Sequence, residues 1–133
     1  MEKAIFSIKG FKFDEIQMNL HNVPDSMKID IKPSGVFNPN SGDYELSFEF
    51  EAISDDDVKI IRIYCRAMFT FNELRNIDDI PPYFYSNSIA IVFPYVRSFI
   101  SSVTTQAGIK PINLPIMNLI SLQDKLKNNT KVL

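Results

Sequence analysis

From Tyr44 to Ala52 apolar and polar residues alternate without a break: Tyr44, Leu46, Phe48, Phe50 and Ala52 interleave with Glu45, Ser47, Glu49 and Glu51. A period of two puts each set on its own face of an extended strand. A helix would scatter the same apolar residues around its axis. The segment therefore demands a sheet with one buried face and one acidic, solvated face. The cluster Ser54, Asp55, Asp56 and Asp57 interrupts the pattern as a turn does, and Val58 to Phe71 resumes it with β-branched and aromatic residues. Together the two runs predict an antiparallel hairpin. In its second strand Ile61, Ile63, Cys65 and Ala67 share one face, while Ile60, Arg62, Tyr64 and Arg66 share the other, where the arginines can answer the glutamates across the sheet.

Upstream, Phe6, Ile8, Phe11, Phe13, Ile16 and Met18 read as another strand, with a slip of alternation at Lys9 and Gly10 that a bulge explains. Met27 to Ile31 reads as a short strand. Pro33 to Asp43, rich in Pro, Gly and Asn, reads as a turn-rich connection. Asn72 to Asn87 has loop composition with room for one short helical turn. The pattern then changes period: Ile89, Val92, Phe93, Val96, Phe99, Ile100, Val103 and Ala107 recur three and four residues apart, one apolar stripe of a helix. Pro94 requires that helix either to begin there or to begin near Ser88 and bend. Gly108 and then Pro111 end it near Ala107. Ile116, Leu119, Ile120, Gln123 and Leu126 predict a second, shorter helix with Pro115 in its first turn, and Asn128 to Leu133 is expected to fray.

At 133 residues the chain reads as a single domain, with no repeat or linker. Net charge is -2, which argues against a nucleic-acid partner, because phosphate binding needs a basic face. Cys65 is the one cysteine, so no internal disulfide forms, and a reducing, cytoplasmic compartment is expected. The N-terminus alternates and does not present a basic region before an apolar core, so it does not read as a signal peptide. The longest apolar run, Ile89 to Phe93, is far short of the ~20 residues of a membrane-spanning helix.

Catalytic chemistry is hard to assemble from these residues. His21, the one histidine, lies in a His21-Asn22-Val23-Pro24 loop composition. Cys65 occupies a strand position that suits a small buried hydrophobe. Asp55 to Asp57 lack the alternating oxygen ligands and closing glutamate of a calcium loop, and the chain has no glycine-rich phosphate loop. Neither an enzyme nor a bound cofactor or metal is expected. What stands out is apolar content: 11 phenylalanines and 5 methionines with several isoleucine-rich faces.

Ile89 to Leu119 carries a more specific signal. Phe93, Pro94, Tyr95 and Arg97, then Gly108 and Pro111, then Asn113, Leu114, Pro115 and Asn118 follow the order and spacing of the closing signature of the SecB export chaperones, which this chain resembles. Ile109 and Leu119 stand where that family has phenylalanines, and Ile116 replaces its second proline. The resemblance implies an α+β fold: a four-stranded antiparallel sheet, a long helix and a short C-terminal helix, assembled as a homotetramer with apolar grooves that hold unfolded polypeptides without ATP.

Aligned by the strand pattern, the family's groove positions fall on Ile29, Ile31, Tyr44, Ile61, Ile63 and Cys65, with Ile116, Leu119 and Ile120 as a movable helical wall. The oligomer is expected to use Val96, Phe99, Ile100 and Val103 of the long helix. The family's docking face for the motor SecA falls on Glu15, Asn19 and Arg62. Only the first of these is acidic, and Lys125, Lys127 and Lys131 make the tail basic where familiar tails are acidic. The resemblance thus implies a chaperone for export, a dedicated chaperone of one client such as the antitoxin of a toxin-antitoxin pair, or an adaptor that keeps the fold without client binding.

Overall fold

The computed structural model describes residues 6–114 and 117–133. Strands β1 (Phe6–Met18), β2 (Lys28–Asn38), β3 (Asp43–Ile53) and β4 (Lys59–Phe71) precede helix α1 (Pro82–Gln106), short helix α2 (Gln123–Asn128) and strand β5 (Thr130–Val132). Their order in the sheet is β1-β4-β3-β2-β5. The fold is α+β as expected, but among the described residues the sheet has five strands, not four. The tail expected to fray adds β5 parallel to Gly35–Phe37 of β2. Its N–H and C=O groups find partners there: Gly35 N–H donates to Asn129 O at 3.1 Å and Leu133 N–H to Phe37 O at 2.8 Å.

The β3–β4 hairpin has the expected faces, with Phe48 opposite Cys65, Phe50 opposite Ile63 and Ala52 opposite Ile61. In β1 the register slips between Ile8 and Gly10, where a bulge is expected, and again between Phe13 and Glu15, where the apolar residues change parity a second time from Phe13 to Ile16 although only the first slip is expected from the sequence. The reading of Pro33 to Asp43 as a connection is corrected: β2 runs through Pro33 and Gly35 to Asn38. The odd-numbered residues of β2 direct their backbone groups away from β3, as the Gly35 and Phe37 bonds show, so Pro33 forfeits no bond to β3. Gly35 lies beside the Tyr44 ring, where a methyl group would overlap the phenol. The true turn is shorter, with Gly42 at φ +78°.

Helix α1 begins at Pro82, earlier than the apolar stripe suggested, with a proline in its first turn. The expected helical turn in the preceding loop is Ile77–Asp79. Pro94 lies inside α1 on the exposed side together with Ala90, where water can satisfy the carbonyl that loses its partner. Phe84, Tyr85, Ile89, Val92, Phe93, Val96 and Ile100 bury the inner face of α1 in the core that also contains the apolar side of the sheet. Phe84 anchors one end, its ring 4.9 Å from Phe6, 4.8 Å from Tyr44 and 4.7 Å from Phe71. Burial of each such side chain contributes about 1.5–3 kcal/mol. Gly108, at φ +81°, follows the end of the helix and reverses the chain.

Candidate functional site

Beyond Gly108 the chain runs back beside the connection between β1 and β2, and the two segments enclose a groove of about 670 Å³. Leu20, Val23, Met27 and Ile29 line one side, Ile109, Ile112 and Leu114 the other, with His21, Asp25 and Lys110 also contributing. Pro24 and Pro111 keep these walls out of regular structure. The second wall is nevertheless fixed. Thr104, fully buried, donates its hydroxyl to Ile100 O at 2.7 Å and accepts Ile112 N–H at 2.9 Å. Ser101 adds a 3.3 Å bond to the Asn113 side chain. The wall can therefore present apolar side chains without leaving the Ile112 amide unpaired.

Of the residues expected to form the groove, Ile29 lines it. Ile31, Tyr44, Ile61, Ile63 and Cys65 belong instead to the core, each no more than 3% exposed. The strand pattern identified the apolar face correctly, but it does not say which part of that face the chain's own helices cover. Burial pushes the Cys65 thiol up to about 12, with the Asp14 carboxylate adding to the shift, so it stays protonated at neutral pH. At the expected helical wall, helical structure starts only with the turn Ile120–Leu122. Leu119 is half-buried, Ile120 is 69% exposed, and the inward side chains are Leu122 and Leu126. Pro115 and Ile116 lie outside the described residues. Leu20, Val23, Met27, Ile112 and Leu114 were not expected in the groove: Met27 opens the short strand read from the sequence and Leu114 belongs to the signature, but neither pattern marks a groove wall, and Val23 and Ile112 carry only their position beside Pro24 and Pro111.

A second apolar depression, about 610 Å³, lies where β1 meets the outer side of α1, lined by Phe11, Phe13, Ile91, Pro94, Tyr95, Ser98, Phe99 and Ser102. Tyr95 stacks on Phe11 at 4.8 Å, and Phe99 lies 4.5 Å from Phe13. The expected association face is corrected here: Val96 and Ile100 point inward and are fully buried in their own chain, whereas Phe99 and Val103 are half-buried. Periodicity defines a helical stripe, but here the inward stripe is the core. Beside this depression β1 pairs, among the described residues, only with β4, and its Ile8 and Ile16 are exposed.

The outer side of the sheet is a lattice of opposite charges. Arg62 donates to Tyr64 Oη at 2.6 Å, Tyr64 donates to Glu49 at 2.9 Å, and Arg62 lies 3.5 Å from Glu49. Glu51, its side chain 2% exposed, lies 2.8 Å from Lys59 and 3.6 Å from Lys32. The hydrogen bond from Lys59 outweighs burial and holds the Glu51 carboxyl below its usual range. Arg66 does the same for Asp14, bonding at 3.0 Å through Nη2. At the expected docking face, Glu15 accepts from Gln17 at 2.9 Å and the exposed Asn19 donates its N–H to Ile60 O at 2.8 Å.

No family model matches the chain. The protein-export protein SecB of Magnetococcus marinus is 27% identical over 131 residues, spanning 91% of this chain and 83% of that protein. An uncharacterized protein of Methanocaldococcus jannaschii is 39% identical over 51 residues, 38% of this chain and 33% of that one. Among solved structures, a SecB-like chaperone of Mycobacterium tuberculosis in complex with a ChAD peptide from the HigA1 antitoxin superposes with a TM-score of 0.68 at 15% identity, over 85% of this chain and 88% of that one. A protein of unknown function from Streptococcus agalactiae does so with a TM-score of 0.54 at 9% identity, over 84% and 97%. Among the described residues no helix is long and apolar enough to cross a membrane.

Proposed function

We propose that this chain, SecB-like in sequence and in fold, is an ATP-independent chaperone that holds unfolded polypeptides in the groove between the β1–β2 connection and Ile109–Leu114. The observation that carries this reading is the groove itself: apolar side chains from two irregular segments interspersed with His21, Asp25, Lys110 and Asn113, with Ile112 pinned by Thr104. Burial of apolar area contributes about 25 cal/mol per Å² and has no directional demand, so such a surface accepts many sequences. Short contacts gain strength when one client engages several grooves of an assembly. The antitoxin peptide in the M. tuberculosis complex supports a peptide as occupant, and the M. marinus relative supports a role in export from the cytoplasm.

A homo-oligomer, most simply a tetramer, supplies several grooves. Strand β1 is suited to pair with itself. With Lys12 placed opposite Lys12 of an antiparallel second copy, a like-charge pair that the Asp14 carboxylate 3.7 Å from each lysine offsets, Phe11 meets Phe13, Ile8 meets Ile16, and Lys9 meets Glu15 in two equivalent opposite-charge pairs. The outer side of α1 offers Ser98 and Ser102 for close approach and Tyr95 and Phe99 as anchors.

A dedicated chaperone of a single antitoxin is the second reading. It is favoured by the basic tail and by Arg62, which stands where the resemblance implies a motor-docking acid and is committed to Tyr64 and Glu49. Suppression of aggregation of an unfolded model protein tests the shared core of both readings. Val23→Ser with Met27→Ser is expected to weaken binding at least tenfold while leaving the circular dichroism spectrum intact. Undiminished suppression by that variant would overturn the groove. Client range then separates the readings: many unrelated polypeptides captured from the host support export, one antitoxin supports the dedicated role.

A further inference from the structure

Charge is divided unevenly along the chain. Residues 107–133 carry four lysines, Lys110, Lys125, Lys127 and Lys131, against one carboxylate, Asp124, while the residues before them carry ten basic and 15 acidic side chains. The two parts also differ in how their lysines are paired. On the sheet Lys9, Lys12, Lys32 and Lys59 each lie 2.8–3.7 Å from a carboxylate. The four later lysines are all exposed, and none has a carboxylate within ion-pair distance among the described residues. In the fold they share one strip. From Gly108 the chain runs back along α1: Ile112 is bonded to Thr104 near the end of that helix, and Thr130 meets the hydroxyl of Tyr44, whose ring lies 4.8 Å from Phe84 near its start. Thr104 and Phe84 are about 30 Å apart along the helix axis, the span of an extended peptide of about nine residues. Lys110 stands in the groove wall at one end of this strip, and the other three lysines stand toward the opposite end. The same strip carries the three most exposed large apolar side chains among the described residues, Ile120 at 69%, Val132 at 51% and Leu133 at 78%.

We infer that this strip selects its client by charge, and that the polypeptide it takes is one whose apolar residues are flanked by aspartate and glutamate. The groove and the exposed Ile120, Val132 and Leu133 supply apolar contact without directional demand. The unpaired lysines supply the complementary charge, and their stems can lie along the client's apolar side chains while the ammonium groups stay in water. A client with basic flanks would instead meet like charges at both ends of the strip. Asp25, in the opposite wall of the groove, offsets only part of this, since Lys28 beside it also lacks a carboxylate partner among the described residues. The acidic remainder of the chain repels such a client, so long-range attraction directs it to the strip and not to the outer side of the sheet. A peptide fits better than a nucleic acid, because four lysines spread over about 30 Å leave most phosphates of a bound strand unneutralised, and the apolar side chains between them would go uncovered. This rests on the polypeptide-binding reading above and adds to it which polypeptides are chosen.

The test measures binding of three fluorescent peptides to the full chain by anisotropy; they share one apolar core and differ only in flanks of glutamate, serine or lysine. At low salt the glutamate-flanked peptide is expected to bind about tenfold more tightly than the lysine-flanked one, as a few exposed charge pairs allow, with the serine-flanked peptide between them. Moderate salt should shrink the difference, because ions screen exposed charges. Lys110→Gln combined with Lys125→Gln and Lys127→Gln changes only exposed side chains. It should reduce the preference to about twofold and leave the serine-flanked peptide bound as before. Lys12→Gln with Lys32→Gln, which removes charge from the paired set on the sheet, should leave most of the preference in place. Equal affinities for the two charged peptides in the wild type, or a preference for lysine flanks, overturns the inference. So does a preference that the triple variant keeps or that the sheet variant loses equally. Tighter binding of oligouridine than of the glutamate-flanked peptide would replace the acidic polypeptide with a nucleic acid as the partner. Failure of all three peptides to bind would overturn the polypeptide-binding reading itself, whereas binding of all three alike would leave that reading standing and remove only the selection by charge.

Discussion

The hydroxyls of Tyr44 and Thr130 meet at 2.6 Å across 86 residues of sequence, one from the centre of the sheet and the other from its last strand. Their contact depends on Gly35, since any side chain there would take the space of the Tyr44 phenol. Gly35→Ala is expected to cost about 1–3 kcal/mol, the usual range for forcing a methyl into a packed interior. Tyr44→Phe removes the clashing oxygen but leaves the ring, so it should recover only part of that loss. Urea unfolding of the two single variants and the double variant measures the coupling; strict additivity would show that the two positions do not share the space.

Thr104 provides a second test, because one hydroxyl serves both the last turn of α1 and the wall of the groove. Thr104→Val keeps the volume and strands the Ile112 N–H, a loss of about 1–3 kcal/mol for a buried donor. The wall should loosen before the fold does. Hydrogen exchange at Ile112 is expected to rise, and affinity for an unfolded chain to fall by more than the change in global stability accounts for. Thr104→Ser, which retains the bond, should restore affinity.

What the sequence disclosed and what it hid divide along a physical line. Side-chain patterning sets β3, β4 and the body of α1, because burial of Phe48, Phe50, Ile63 and Val96 is what places them. It is silent on β5, where Lys131 and Val132 remain exposed and backbone bonds to β2 do the placing. Composition misled at Pro33 and Gly35, since a backbone N position directed away from β3, outside the Gly35–Phe37 stretch paired with β5, and a neighbouring ring can make a strand of residues that usually break one. The groove was legible only in part. Ile29 follows from alternation, but Val23, Met27 and Ile112 lie in irregular segments whose proximity is created by the reversal at Gly108.

The response to acid follows from Glu51. Its folded carboxyl is held below the ordinary value, first by the hydrogen bond from Lys59, so the pair adds stability above the unfolded value of about 4.3 and loses it as pH falls through the folded value. Stability should be level from neutral pH to about 5 and then decline. Glu51→Gln is expected to be less stable by about 1–2 kcal/mol at pH 7 and to show a shallower decline, so that the two proteins converge below the folded value. Thermal unfolding across pH reads this directly; parallel curves would remove Glu51 from the account.

For assembly, the outer side of α1 makes a sharper target than its inner side. Tyr95→Glu or Phe99→Glu would place an unpaired charge in any interface formed there, which costs far more than the same charge in water. Sedimentation velocity is expected to show a shift toward monomer or dimer with the fold retained. Lys9→Glu should weaken β1 self-pairing, and adding Glu15→Lys should restore it, because the reversed pair has the same geometry. The existing Lys9–Asp43 contact, 3.5 Å long and exposed, contributes little against this. A wild-type monomer across micromolar concentrations would remove the oligomer from the proposal.

The proposed lack of coupling to an export motor rests on Arg62, and the sheet around it determines which variant can test the point. The family resemblance places acidic docking positions at Glu15, Asn19 and Arg62, of which this chain keeps only the first. Replacing Arg62 by Glu would supply an acid but set it beside Glu49 and Glu51, and would take from Tyr64 the guanidinium that now donates to it. That variant should lose stability and so confuse docking with folding. Asn19→Glu disturbs less, because Asn19 is exposed, its bond to Ile60 comes from the backbone, and its side-chain oxygen accepts a long 3.3 Å bond from the exposed His21 N–H that a carboxylate can also accept. Wild type is expected to bind the motor of its own host weakly or not at all. Asn19→Glu should strengthen binding modestly, since one exposed charge pair is worth about 0.2–1 kcal/mol, and only at low salt, because ions screen it. Titration calorimetry at low and moderate salt provides the reading. Tight wild-type binding, indifferent to Asn19→Glu, would place the docking face elsewhere and return the chain to general export, whereas salt-dependent gain in the variant alone would mean that the docking surface was lost by substitution and that the groove serves a client delivered by another route.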